Sequence, residues 1–189
     1  MSNYKLRNGE EVNVRVPQEK DAEGVIFVMK QVDTESKFLG RAPGEFKTSV
    51  EREKELINNV ADDSDNSWFI AQYQGKVVGQ CSVGLVRRNR RFRHRAVLGF
   101  VLLKDYWNLG IGGKMMQECI KWAKEHNIEQ LELEVVTTNE HALNMYKSFG
   151  FKIVGTVYKE LKYDDGSYAN AYMMQLELNN DQSSMTKNQ

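Results

Sequence analysis

Val12, Val14 and Val16 alternate with polar neighbours until Pro17, a period of two that predicts a half-buried strand ending at the proline. From Asp21 the period lengthens, and Val25, Val28, Met29 and Val32 share one face of a predicted helix. Residues 37–39 show no period, and the Gly40-Arg41-Ala42-Pro43-Gly44 stretch reads as a loop. Thr48-Ser49-Val50-Glu51 has the spacing of a capping box and predicts a helix carrying Leu56, Ile57 and Val60. That helix dissolves into Asp62-Asp63-Ser64-Asp65-Asn66, read as a solvated connector. Strands are predicted at 68–71 and 77–86 around a tight turn at Gln74-Gly75, and a basic turn at 87–95 leads to another strand at 96–103.

A glycine-rich turn then opens a long amphipathic helix over 112–126, with Met115, Met116, Cys119, Ile120 and Ala123 facing inward. A strand at 131–135 and a helix at 139–149 capped by Gly150 follow. Strands at 152–162 and 167–178 meet at Asp165-Gly166, a strong hairpin signal. The succession β-α-α-β-β-β-α-β-α-β-β has no repeat and no linker. An α/β architecture accommodates it most simply, with a single mixed central sheet and helices on both faces. The domain is expected to span residues 11–178, and residues 179–189, which lack apolar periodicity, are expected to fray.

Composition narrows the function classes. The chain has 189 residues, the length of about one domain. Its 26 Lys and Arg balance 26 Asp and Glu, so no global charge drives it towards nucleic acid or an anionic membrane. There is no apolar run of the roughly 18 residues that a membrane span requires, and Met1-Ser2-Asn3-Tyr4-Lys5-Leu6-Arg7 lacks the apolar centre of a signal peptide. A cytoplasmic protein with no membrane partner is expected. Cys81 and Cys119 cannot supply a disulfide framework or a four-ligand zinc site, and are expected to be buried and reduced. His126 and His141 have no metal-ligand spacing, so no metal is expected.

Chemistry concentrates in two stretches. Trp107-Asn108-Leu109-Gly110-Ile111-Gly112-Gly113 joins a predicted strand to a predicted helix. Glycines there leave backbone N–H groups open, and the helix N-terminus adds about half a positive charge, a setting for a pyrophosphate. It is not a P-loop, since no Gly-Lys-Ser/Thr closes it, and the third glycine of a dinucleotide fingerprint would fall at Met115. In the second stretch Asn139, Ala142 and Tyr146 stand at i, i+3 and i+7, on one helix face. The polar groups at its ends are roughly 10 Å apart along the axis, with a small residue between them. That suits an elongated ligand.

Leu109-Gly110-Ile111-Gly112, the Asn139-x-x-Ala142-x-x-x-Tyr146 spacing and Phe149-Gly150-Phe151, in register, resemble the GNAT superfamily of N-acetyltransferases. The strand order matches, and the resemblance covers residues 13–178, closest in motif to bacterial amine and protein N-terminal acetyltransferases. It implies the acyl-CoA N-acyltransferase fold and acetyl-CoA as cosubstrate. The backbone of Val101, Leu102 and Leu103 would then bind the pantetheine arm and acetyl carbonyl. Asn108, Leu109, Gly110, Ile111, Gly112, Gly113 and Lys114 would hold the pyrophosphate. The family's Arg or Gln at the head of that loop is Trp107 here, which leaves the phosphates to backbone amides. Asn139 would hydrogen-bond the arm where two parallel strands splay, and Tyr146 would be the general acid.

Glu134 matches a glutamate that acts as base in bacterial protein N-terminal acetyltransferases of the superfamily. Glu132, on the same strand face, and His94, through water, are alternatives, and both glutamates could equally line a solvated face. Acceptor sites in this fold are built from the first two helices and the last hairpin, here 27–60 and 158–172, the latter rich in tyrosine. The expected reaction is direct attack of a primary amine of a small amino compound or polyamine on acetyl-CoA, with a protein N-terminus of the ribosomal-protein type as alternative. Two other classes stay open. A non-catalytic acyl-CoA-binding regulator would keep the loop and need neither Tyr146 nor Glu134. A nucleic-acid module would use Arg87, Arg88, Arg90, Arg91, Arg93 and Arg95, but solvated charge in a hairpin connection accounts for these more simply. Assembly as a homodimer is also left open.

Overall fold

The structure, a computed structural model, describes residues 2–178; the tail expected to fray lies outside the described residues. Eight strands form one sheet: β1 (Ser2–Lys5), β2 (Glu11–Arg15), β3 (Asn66–Tyr73), β4 (Lys76–Leu85), β5 (Arg95–Leu102), β6 (Gln130–Val136), β7 (Lys152–Lys162) and β8 (Tyr168–Glu177). Their order is β1-β2-β3-β4-β5-β6-β8-β7, antiparallel except where β5 meets β6. Four α-helices complete the domain: α1 (Ala22–Glu35), α2 (Val50–Ala61), α3 (Ile111–Glu125) and α4 (Glu140–Ser148).

Alternation along the strands separates two apolar layers. Val12, Val14, Ala71, Cys81, Leu98, Leu131 and Leu133 pack with Met115, Cys119 and Trp122 of α3 and with Leu143 and Tyr146 of α4. On the opposite face Ile70 packs with Val25 and Met29 of α1, and Leu103 with Val28 and Val32. The expected mixed sheet with helices on both faces is the observed one.

The parallel pair is short. Only Arg95, Ala96 and Val97 are in register with Gln130, Leu131 and Glu132, although both strands continue for several residues. Beyond Val97 and Glu132 the strands part, and every second residue of 98–102 turns unpaired backbone groups into the gap.

Three features depart from expectation. The sheet has a strand before residue 11 that the sequence did not predict, since Ser2-Asn3-Tyr4-Lys5 pairs in register with β2. With Tyr4 as its one large apolar side chain, this strand shows no period in the sequence. The cap of α2 is Ser49, whose Oγ accepts from the Arg52 amide at 3.2 Å, rather than Thr48. Finally, the acidic connector is not merely solvated. Arg88 pairs with Asp63 at 2.9 Å and Arg93 with Asp65 at 2.7 Å, while Arg87 and Arg95 lie over the Phe92 ring. Two of the six arginines are therefore paired with the acidic stretch.

Candidate active site

A cleft of about 580 Å³ opens at the C-terminal end of β5, between the start of α3 and the length of α4. Its floor at the α3 end is the 107–113 turn. Gly110, the N-cap of α3, has φ +91°, a left-handed conformation that glycine adopts without the Cβ strain of other residues. It turns the chain so that the first-turn amides of Ile111, Gly112 and Gly113 head the helix, where no intrahelical carbonyl reaches them. Gly112 packs closely on α4, where an added Cβ would stand 3.0 Å from Met145 Sδ and the methionine side chain would have to give way. Unpartnered amides and the positive helix terminus suit an anionic diphosphate, so the residues present fit the phosphate end of an acyl-CoA.

Val101, Leu102, Asn108, Leu109, Gly110, Ile111, Gly112, Gly113, Lys114, Asn139 and Tyr146 all line this cleft. Leu103 does not. It is buried against Val28 and Val32 beneath α1, and its N–H donates to the Val78 carbonyl at 3.0 Å, so it has no free donor to offer. Asn139 is the N-cap of α4. Its Oδ1 accepts from the Ala142 amide at 3.3 Å, which leaves the Nδ2 group as the donor available to the cleft.

Tyr146 is 7% exposed, among Phe100, Phe151 and the two thiols. Its ring is enclosed, yet the residue lines the cleft, and its hydroxyl makes no side-chain hydrogen bond among the described residues. Burial, followed by the nearby Cys119 and Cys81, pushes the phenol's pKa well above its ordinary value. The group therefore keeps its proton throughout the neutral range.

The glutamates face the other way. Leu131, Leu133 and Val135 are buried towards α3 and α4, so Glu132 and Glu134 project from the α1 and α2 face. Glu132 is held by Arg95, whose Nη2 stands 2.7 Å from Oε2, and it also accepts from Gln130. Burial pushes its pKa up, but those hydrogen bonds outweigh burial and hold it below its ordinary value. Glu134 is exposed, has no ion-pair or hydrogen-bond partner among the described residues, and stands opposite Met173. A row of residues crosses that face: Trp68, Ser82 and Gly99 on one side of the splay, Glu134 and Met173 on the other. His94 precedes β5 at the end remote from the cleft and is exposed.

Some contributors to the cleft escaped the sequence reading. Lys5, Leu6 and Arg7 line it from the β1–β2 hairpin. The Trp107 ring stacks on His141 with centroids 4.9 Å apart and planes 6° apart, and its Nε1 donates to the Leu102 carbonyl at 2.9 Å. The turn is thereby tied to both β5 and α4. No spacing rule links Trp107 to His141, and the hairpin carries no motif. On the acceptor side, the Tyr163 hydroxyl donates to the Lys37 carbonyl at 2.9 Å, joining the last hairpin to the α1–α2 connection. The two segments expected to build the acceptor site therefore meet.

Comparison with known proteins agrees with this geometry. Residues 32–151 match the model of the Acetyltransferase (GNAT) family. The L-amino acid N-acetyltransferase AaaT of Escherichia coli is 31% identical over 119 residues, spanning 61% of this chain and 70% of that protein. An N-alpha-acetyltransferase of Sulfurisphaera tokodaii is 32% identical over 116 residues, or 57% of this chain and 67% of its own length. Among solved structures, an acetyltransferase of the GNAT family from Streptococcus pneumoniae superposes with a TM-score of 0.83 at 26% identity, covering 88% of this chain and 99% of its own. The chain belongs to the GNAT acetyltransferase family and is an acetyl-CoA-dependent N-acetyltransferase.

Proposed function

We propose that the chain acetylates the primary amine of a small amino compound, with an amine on an α-carbon as the preferred acceptor. The observation that carries this reading is the parting of β5 and β6, with the Tyr146 hydroxyl on one side of the sheet and Glu134 on the other. Bound acetyl-CoA supplies the activated acetyl thioester. The chain's residues hold and orient it: the first-turn amides of α3 take the diphosphate, and the unpaired edge of β5 lies along the arm. An amine entering from the α1 and α2 face gives up its proton at Glu134 Oε and attacks the thioester carbon through the gap. Tyr146 Oη donates a proton to the sulfur that leaves on the α4 face. Burial keeps that phenol protonated, and the same desolvation raises the proton affinity of a thiolate formed beside it.

The names of the Escherichia coli and Sulfurisphaera tokodaii relatives, an L-amino acid and an N-alpha acetyltransferase, support an α-amine acceptor. The Tyr163–Lys37 bridge, which closes one side of the acceptor face, favours a small molecule over a polypeptide end. Two reduced, buried thiols support a cytoplasmic setting.

The test is thiol release from acetyl-CoA with free amino acids, a polyamine and a short peptide with an unblocked N-terminus. Amino acids should give the highest kcat/KM. A peptide preferred over every amino acid overturns the small-acceptor reading. Release no faster than in buffer with all three overturns the amine-acceptor reading.

A further inference from the structure

Three cationic side chains line the cleft, two of them from outside the turn that heads α3. Lys5 and Arg7 reach it from the β1–β2 hairpin, and Lys114 from the first turns of α3. Lys5 and Arg7 are exposed, and none of the three has an acidic partner among the described residues. Lys114 lies instead over the Tyr4 ring, 5.1 Å from Nζ to centroid, while the Tyr4 hydroxyl donates to Glu118 Oε1 on α3 at 2.5 Å. That contact seats the hairpin on α3, at the edge of the cleft that Lys5 and Lys114 both line. The hairpin lies outside residues 32–151, the part that matches the family model.

Two anionic groups of acetyl-CoA need partners. The diphosphate is satisfied by the unpartnered amides of Ile111, Gly112 and Gly113. The 3′-phosphate of the ribose, a monoester carrying about −1.5 to −2 charges at neutral pH, is the group left over. We infer that Lys5, Arg7 and Lys114 form a binding site for this 3′-phosphate, so that the N-terminal hairpin makes the chain discriminate CoA from dephospho-CoA. The inference rests on acetyl-CoA as cosubstrate and on no assignment of the acceptor.

Calorimetric titration of the full chain with CoA and with dephospho-CoA tests it without turnover. The unaltered chain should bind CoA about 10-fold or more tightly than dephospho-CoA, as expected for charge-assisted hydrogen bonds to one phosphate. In a Lys5→Ser, Arg7→Ser double variant that preference should fall to about threefold or less, while dephospho-CoA affinity stays as it was. Both side chains are exposed, so the variant should melt with the unaltered chain, and Lys114→Gln should reduce the preference independently. Equal affinities in the unaltered chain, or a preference that survives the double variant, overturn the inference. A loss shared equally by both ligands also overturns it, because the cations would then serve the diphosphate. Binding of neither ligand overturns the cosubstrate assignment itself, a result distinct from the other three.

Discussion

Tyr146 and Glu134 occupy opposite faces of the sheet, and that separation makes their roles testable one at a time. Replacing Tyr146 with Phe keeps the packing against Phe100 and Phe151 and removes only the proton donor. We expect kcat to fall about 10²- to 10⁴-fold with acetyl-CoA affinity unchanged, measured by steady-state kinetics beside direct titration. Because burial raises the Tyr146 pKa, the unaltered enzyme should show no falling limb near pH 10, where an ordinary phenol ionises. Glu134→Gln should lower kcat/KM most at neutral pH and least in alkali, where the acceptor amine is already neutral. A deficit that does not vary with pH would contradict the base role. Glu132→Gln makes a useful contrast. It strips Arg95 of a charged partner and should lower the melting temperature more than the rate. Glu132 and Glu134 look alike in the sequence, since both follow the same alternation, and only the long-range contact with Arg95 tells them apart.

Single elements carry their own strain and their own ion pairs. Gly110→Ala places a Cβ on a left-handed residue, at a cost of about 1–2 kcal/mol, and should lower both stability and acetyl-CoA affinity because the cradle moves with the N-cap. At the junction of β2 and α1, Arg15 and Asp21 form a buried bidentate pair at 2.7 and 2.9 Å. Asp21→Ala leaves the guanidinium buried and unpaired and should cost about 3–5 kcal/mol by denaturant unfolding. Burial raises the Asp21 pKa, but the Arg15 and Gln18 hydrogen bonds outweigh it and the net shift is downward. Its contribution is therefore complete above about pH 4, the unfolded value, and is lost as pH falls through the lower folded value. The acid limb of the melting curve should flatten in the Asp21→Ala variant, which has no such contribution to lose.

Helix and strand positions were largely legible because their apolar periods are long; α1, α3 and α4 lie within a residue or so of where those periods put them. Two features were not. The short β1 has too few side chains for a period, and the choice of Ser49 over Thr48 as cap depends on where α2 docks.

At the scale of the whole molecule, the mixed sheet was readable from the order of elements, but the parting of β5 and β6 was not. Parallel pairing that stops after three residues on each strand depends on what β8 and β4 do on either side, which no local pattern records. The same holds for charge. The six arginines between 87 and 95 read along the chain as solvated charge in a hairpin connection, and only the fold brings Asp63 and Asp65 to Arg88 and Arg93. Motif residues were legible because a backbone cradle needs glycine and an N-cap needs a short polar side chain. The cations of the first hairpin were not, because nothing in the chain marks them as neighbours of α3.

The central claim is that the cleft at the end of β5 is built for acetyl-CoA, and a thermal-melt titration with that ligand tests it most directly. Linkage gives about 2.7 kcal/mol of added stability at 100 times the dissociation constant, very roughly 5–10 °C for a domain of this size. The account predicts a saturating rise that CoA reproduces and that Gly110→Ala weakens. An unchanged melting temperature at millimolar acetyl-CoA would contradict it.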